Sequence, residues 1–183
     1  KNAFYWNTGN ARFGEVHYEI VPDENAEFTR FRAGDLDVTN NVPEQRFEEL
    51  AREPDSGLQH RAALATFYFS FNTDRGPLSK KSALREALSL ALNREAITAS
   101  ITRAGQVPAY SLVPEGVWNY TPATYEWLNS ATSARLAKAR SLYAAAGYST
   151  TRPLHLRMLY NENELIQKVC VAIAAMWKQE LGV

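Results

Sequence analysis

The sequence has one cysteine, no long apolar run and no excess of acidic or basic residues. A lone cysteine, Cys170, excludes an internal disulfide and cannot form a zinc site by itself, so we predict a small buried side chain on a helix. Because no run of about 18 apolar residues occurs, we predict no membrane span in this chain. The 20 basic and 20 acidic side chains cancel, which argues against nucleic acid as a partner.

The sequence also lacks the motifs of common enzymes. It holds no Gly-x-Gly-x-x-Gly, no Gly-x-x-x-x-Gly-Lys, no His-Glu-x-x-His and no Gly-x-Ser-x-Gly. The three histidines are far apart along the chain. We therefore predict no cofactor, no metal site and no catalytic residue, and a binding protein rather than an enzyme.

One pair of carboxylates leaves a catalytic alternative open. Asp35 and Asp37 lie two residues apart, so both can point to one side of a short strand and imitate an acid/base pair or a metal clamp. Because they follow Gly34 at a predicted helix end, turn chemistry is the better interpretation. A hydrolase that uses Asp35 or Asp37 is the distant alternative.

The composition is that of a soluble globular protein, with 183 residues, 45% hydrophobic and 22% charged. The chain begins without methionine and stops just after a predicted helix, where a strand is expected next. We therefore expect an internal fragment of a longer protein. On that interpretation the missing signal peptide says nothing about the compartment.

The spacing of apolar residues predicts strands that alternate with helices. Alternation predicts strands at 16–20, 36–39, 66–73 and 154–160, and helical periodicity predicts a helix after each of them. Asp23 and Asn93 are predicted to cap helices that end at Gly34 and Gly105. Residues 106–130 are predicted to be irregular but ordered, because their aromatic rings must pack. This order of elements indicates an α/β fold.

The aromatic strand at 66–73 is the most specific element. Alternation places Phe67, Phe69 and Phe71 on one face, and Tyr68 and Ser70 on the other. A rigid ring beside a hydroxyl is typical of small-molecule and peptide sites. Pairing of Tyr68 with a neighbouring strand is an equally good interpretation, and the residues alone do not separate the two.

Several segments, in order along nearly the whole chain, resemble the extracellular solute-binding proteins of peptide-importing ABC transporters, the oligopeptide/dipeptide/nickel-binding family. The resemblance is closest to the periplasmic oligopeptide-binding and murein-peptide-binding branch. The segments are Tyr5-Trp6-Asn7, residues 32–39, residues 66–73, residues 84–95, Pro108-Ala109-Tyr110, residues 144–148, residues 159–163 and Trp177-Lys178.

The resemblance implies a two-lobed, flytrap-like periplasmic-binding-protein fold of type II, with mixed sheets flanked by helices. Residues 1–61 are then expected in the first lobe, 62–73 in a crossover or hinge strand, and 74–183 in the first part of the second lobe. It also implies a protein that binds short peptides between the lobes, as an added strand, and delivers them to ABC permease subunits in the inner membrane. The expected compartment is the periplasm, with a signal peptide upstream.

The resemblance further implies ligand contacts. Tyr68 matches a tyrosine that lines the peptide site, Ser70 stands where the branch has a glutamate, and Ala63 and Ala65 fall at pocket positions that are larger there. These four residues are the predicted pocket. The group that receives the peptide amino end lies beyond Val183 in the family.

Two basic positions of the branch are not kept. Thr102 aligns with a lysine and Ile166 with a histidine, and Arg103, one residue along, is the predicted substitute for receiving a peptide carboxylate. This departure makes murein tripeptide, or another non-standard peptide, the alternative ligand. Because half of the second lobe is expected to be absent from this fragment, we expect it to expose apolar core and to self-associate.

Overall fold

The computed structural model describes residues 2, 4–61 and 63–183. The chain divides into two compact units, residues 1–47 and residues 48–183. Helices are the main regular secondary structure among the described residues of each unit, and short 3₁₀ turns lie at Thr8–Asn10 and Glu126–Asn129.

The first unit is built around helix α1, Glu24–Ala33. Asp23 caps it as predicted, since its carboxylate accepts a hydrogen bond from the Ala26 amide at 2.7 Å. Gly34 ends it with φ of 83°, in the left-handed region that a residue without Cβ adopts freely. The carboxylate of Glu27 then accepts bonds from the Thr39 hydroxyl at 2.6 Å and the Asn40 amide at 3.1 Å. These bonds hold the following segment against α1.

Helix α2, Glu44–Arg52, begins directly after the buried Pro43. Proline suits this position because its fixed φ favours the first turn and its missing N–H has no partner to lose there. Leu50 is buried. Local sequence signals therefore set both ends of α1 and the start of α2.

The second unit contains the helix pair predicted after the aromatic segment. It consists of α3, Ser82–Leu90, and α4, Arg94–Ile97, which continues as a π-helical turn over Thr98–Thr102. Asn93 caps α4 as predicted, by accepting from the Ala96 amide at 2.9 Å. The predicted end at Gly105 is wrong by two residues, because Arg103 already adopts the left-handed conformation with φ of 48° and stops the helix.

The core of the second unit lies where α3 packs against α5, Thr132–Ala145, and α5 against α6, Glu164–Leu181. Two buried hydrogen bonds lie in this core: Trp177 Nε1 on α6 donates to the Leu88 carbonyl on α3 at 2.8 Å, and the Leu154 amide, in the segment between α5 and α6, donates to the Tyr143 hydroxyl at 2.9 Å. The apolar side chains buried in this core include Leu78, Leu84, Ala87, Leu88, Leu90, Ala91, Trp127, Ala139, Tyr143, Leu154, Val169, Ile173, Trp177 and Leu181.

None of the predicted strands forms a β-ladder among residues 2, 4–61 and 63–183, so the predicted sheets are absent from the part of the chain described here. The one bridge found there joins Ser149 and Arg152. A strand needs a neighbouring backbone as well as an alternating pattern, and the pattern specifies faces rather than the neighbour. The alternation itself survives, since Leu154, Leu156 and Met158 face the core while the residues between them are exposed.

Residues 106–130 are irregular, as predicted, and two of their rings pack while another does not. Trp127 is buried and Tyr110 packs partly against the core, but Trp118 is 91% exposed. Cys170 is buried on α6, as predicted. No helix in the described part of the chain is both long enough and apolar enough to span a bilayer.

Candidate functional site

Residues 66–73 lie over the core of the second unit with one face inward. Phe69 and Phe71 are half-buried and pack against that core. Phe67 is mainly exposed, and its ring meets the ring of Phe69 edge-on, with centroids 5.4 Å apart. The segment ends in a turn in which Asn72 Oδ1 accepts from the Asp74 amide at 3.1 Å. Two of the three phenylalanines thus occupy the predicted inner face.

The opposite face is open to solvent. Tyr68 is 61% exposed, and Ser70, Ala63 and Ala65 are exposed as well. The backbone groups of residues 66–71 make no hydrogen bond within the described part of the chain. This segment therefore presents a free backbone edge with an aromatic ring and a hydroxyl beside it, and none of its exposed side chains carries a charge.

Arg103, the predicted carboxylate receiver, already has a carboxylate partner. Its guanidinium donates to Glu48 Oε1 at 2.6 Å, an ion pair in which both side chains are about half exposed. The hydrogen bond from Arg103, and then its charge, hold the pKa of Glu48 below its usual value. A peptide carboxylate at Arg103 must compete with Glu48.

The two positions at which the resemblance places basic groups supply no charge. The Thr102 hydroxyl donates to the Thr98 carbonyl at 3.3 Å, within its own helical turn. Ile166 is half-buried in the first turn of α6. Neither side chain replaces the basic group that the resemblance places there.

Asp35 belongs to the turn at the end of α1, as the better interpretation predicted. Its amide donates to the Arg30 carbonyl at 3.0 Å, and its carboxylate lies 3.9 Å from the Arg30 guanidinium. In the part of the chain that the structure describes, no group of His, Cys, Asp and Glu side chains is arranged to hold a metal ion. Asp35 therefore has a structural role at the end of α1.

A second polar cluster, around Trp127, was not anticipated from the sequence. Arg94 donates to the Ser89 hydroxyl at 2.8 Å, and its guanidinium carbon lies 5.2 Å from the centroid of the Tyr110 ring and 5.9 Å from that of Trp127. The guanidinium carbon of Arg135 lies 6.0 Å from the Trp127 centroid. Such contacts stabilise a cation over an aromatic face. Burial lowers the pKa of Arg94, and the nearby charge of Arg135 lowers it further.

A carboxylate and a phenol complete this cluster. The Tyr110 hydroxyl donates a very short hydrogen bond to Glu95 Oε1. That bond lowers the pKa of Glu95, while burial first and the bond second raise the pKa of Tyr110. At neutral pH Glu95 is charged and Tyr110 is neutral.

A signal for this cluster was present in the sequence. Arg135 falls on the same helical stripe as Ala139 and Tyr143, which are buried in the core, and this spacing is the signal that could have indicated a buried arginine in the first turn of α5. The sequence does not indicate which residues surround Arg135, because they lie on α4 and in the irregular segment 106–130.

The profile of the bacterial extracellular solute-binding proteins, family 5 Middle, matches residues 1–183. The chain belongs to this family. It is 32% identical over 182 residues to the periplasmic murein peptide-binding protein MppA of Escherichia coli, and this match covers 100% of the chain and 34% of MppA. It is 32% identical over 184 residues to the periplasmic oligopeptide-binding protein OppA of Salmonella typhimurium, and this match covers 100% of the chain and 34% of OppA. The chain thus spans about a third of the length of these family 5 relatives.

Solved structures of the family agree with this placement. The murein tripeptide-binding protein MppA of E. coli superposes with a TM-score of 0.81 at 34% identity, over 87% of this chain and 31% of MppA. The OppA of Haemophilus influenzae, in complex with the peptide RPPGFSPFR, gives a TM-score of 0.76 at 31% identity, over 86% of this chain and 31% of OppA. The predicted fold class, part of a two-lobed type II solute-binding fold, is confirmed.

Proposed function

We propose that the protein carrying this chain is the substrate-binding component of an ABC importer, which binds short peptides between two lobes and delivers them to a membrane permease. The observation that carries the proposal is the family match over residues 1–183, together with relatives named for oligopeptide and murein-peptide binding. The periplasm is the proposed compartment, with a signal peptide upstream. Binding without catalysis is the proposed mode of action.

The free edge of residues 66–71 supports this function. A peptide that lies beside it as an added strand gains main-chain hydrogen bonds, which do not depend on the peptide's sequence. Tyr68 then contacts the ligand with its ring, while Ala63, Ala65 and Ser70 leave room for side chains of different size. We propose these four residues as the wall of the peptide pocket.

The same proposal assigns the parts of the chain. Residues 1–61 belong to the first lobe, 62–73 to the crossover between lobes, and 74–183 to the second lobe. Peptide binding closes the lobes by bending at the crossover. The inward rings of Phe69 and Phe71 anchor the crossover on the core of the second unit, which lets Tyr68 move together with that core.

A murein tripeptide is the second candidate ligand. Thr102 and Ile166 carry no charge where the resemblance places basic groups, and Arg103 is paired with Glu48. An ordinary peptide carboxylate therefore lacks a ready partner in this part of the site. The similarity to MppA favours the same ligand class.

Calorimetric titration of the intact protein tests both candidates. We expect short peptides to bind with an exothermic, saturable signal, and competition between murein tripeptide and ordinary tripeptides to rank them. Absence of heat and of any melting shift with all of these peptides would overturn the proposed function.

A variant of the pocket wall tests the site. Tyr68→Ala should weaken peptide binding about tenfold, because a buried tyrosine contact is among the larger contributions at such interfaces. Tyr120→Ala is the matched control, since Tyr120 is 43% exposed and lies outside the proposed pocket. Equal peptide affinity in the two variants would remove Tyr68 from the site.

A further inference from the structure

A polar cleft of about 280 Å³ opens at the start of α5. Its walls include Glu95, Tyr110, Ser130, Thr132 and Arg135. None of these is a residue that the family resemblance assigns to the ligand. The cleft therefore needs its own explanation.

Backbone donors without partners lie at this end of α5. The residue before the helix is Ala131, whose side chain cannot cap it, and the first intrahelical bond runs from the Arg135 amide to the Ala131 carbonyl at 3.1 Å. The amides of residues 132–134 donate to no acceptor in the described part of the chain. A helix of this length, 14 residues, carries a partial positive charge at such an end, which is where proteins often bind anions.

The buried guanidinium of Arg135 also lines this cleft. Arg135 is only 8% exposed, and its Nε has no hydrogen-bond partner among the described residues. No carboxylate lies within ion-pairing distance of it there. A buried donor without an acceptor is costly and uncommon in folded proteins. An acceptor supplied by a ligand removes this cost.

The charges around the cleft leave a net positive environment. Arg94 and Arg135 both lie close to the Trp127 ring, 5.9 and 6.0 Å from its centroid, and the one carboxylate of the lining, Glu95, accepts a hydrogen bond from the Tyr110 hydroxyl. Two guanidinium groups are thus opposed by a single carboxylate. One added negative charge balances the cluster.

We propose that this cleft binds a small oxyanion of the size of phosphate or sulfate. Its donors are Arg135 Nε, the amides of the first turn of α5, and the hydroxyls of Ser130 and Thr132. This site does not depend on the proposed peptide function, because it uses none of the residues of the peptide pocket.

Titration of the intact protein with sodium phosphate, sulfate and acetate, each against chloride at constant ionic strength, tests the site. We expect saturable phosphate or sulfate binding that Arg135→Met weakens about tenfold or more, the usual loss for a charge-assisted hydrogen bond. Arg140→Met is the matched control, since Arg140 lies on the same helix and pairs instead with Glu180 at 2.5 Å. Equal anion affinity in the two variants, or no difference from chloride, overturns the proposal.

A second variant covers the case in which Arg135→Met fails to fold. Glu95→Gln removes the competing negative charge and keeps an acceptor for the Tyr110 hydroxyl, so anion affinity should rise severalfold. Unchanged or weaker binding in Glu95→Gln contradicts the charge argument. A peptide titration of the same variants reports separately on the peptide pocket.

Discussion

At the scale of the residue, Arg103 combines an unusual backbone conformation with a side-chain ion pair. It has a φ of 48° at the end of the π-helical turn, an uncommon conformation for a residue with a side chain, and its guanidinium reaches Glu48, which is 55 positions away in the sequence. The left-handed backbone of Arg103 ends the helix, and the ion pair holds its guanidinium at Glu48. The ion pair also occupies the charge that the sequence resemblance offered to a peptide.

The ion pair should be visible in the titration of Glu48. Because Arg103 lowers the pKa of Glu48 in the folded protein, the charged form contributes stability above the ordinary pKa of glutamate, and that stability is lost as the pH falls through the lowered value. We expect Arg103→Met to raise the pKa of Glu48 toward its ordinary value, as measured by NMR titration of the side-chain carboxyl carbon.

Arg52→Met is the comparison for this experiment. Arg52 lies 3.6 Å from the other oxygen of Glu48 and lowers the pKa of Glu48 less than Arg103 does. A pKa that moves equally in the two variants, or in neither, would contradict the dominant role of Arg103.

At the scale of the element, the last turn of α3 depends on a side chain from α6. The final carbonyls of a helix have no partner within it, and the Leu88 carbonyl finds one in Trp177 Nε1 at 2.8 Å. The ring of Trp177 is buried in the core shared with α5. One tryptophan thus joins the packing of α6 to the capping of α3.

Trp177→Phe should lower the free energy of unfolding by about 1–3 kcal/mol, the usual cost of leaving a buried carbonyl without its donor. Urea denaturation measures this difference. Trp118→Phe is the matched control because Trp118 is 91% exposed, and its effect should stay within about 0.5 kcal/mol. Two variants of equal stability would show that the bond to Leu88 contributes nothing.

At the scale of the whole molecule, the alternating segments have no neighbouring strands among the described residues, and one of them, residues 16–20, leaves its apolar face exposed. Val16, Tyr18 and Ile20, predicted as one face of a strand, are 59%, 90% and 93% exposed. A row of apolar side chains beside an unpaired backbone is a surface on which chains associate. The chain spans about a third of the length of its relatives, so this surface is where we expect further protein to pack.

The chain of residues 1–183 by itself should therefore self-associate as its concentration rises. Analytical ultracentrifugation measures the association, and Val16→Thr with Ile20→Thr should reduce it. Val171→Thr, a change at an exposed valine on α6, is the control and should leave it unchanged. A single monomeric species at every concentration would contradict the prediction.

The sequence by itself determined the helices, most of their caps and the family. Asp23 and Asn93 bond to amides three positions away, and an apolar stripe repeats with the helical period, so both are encoded in local spacing. It also determined that Phe69 and Phe71 face inward. These features depend on neighbours along the chain, which the order of residues specifies directly.

Only the tertiary structure decided which polar groups meet. Glu48 with Arg103, Arg94 and Arg135 around Trp127, and Trp177 with Leu88 are brought together by the path of the chain over tens of residues. The sequence predicted strands where the described residues form no β-ladder. A strand exists only where another backbone supplies its hydrogen bonds, and an alternating pattern does not specify that backbone.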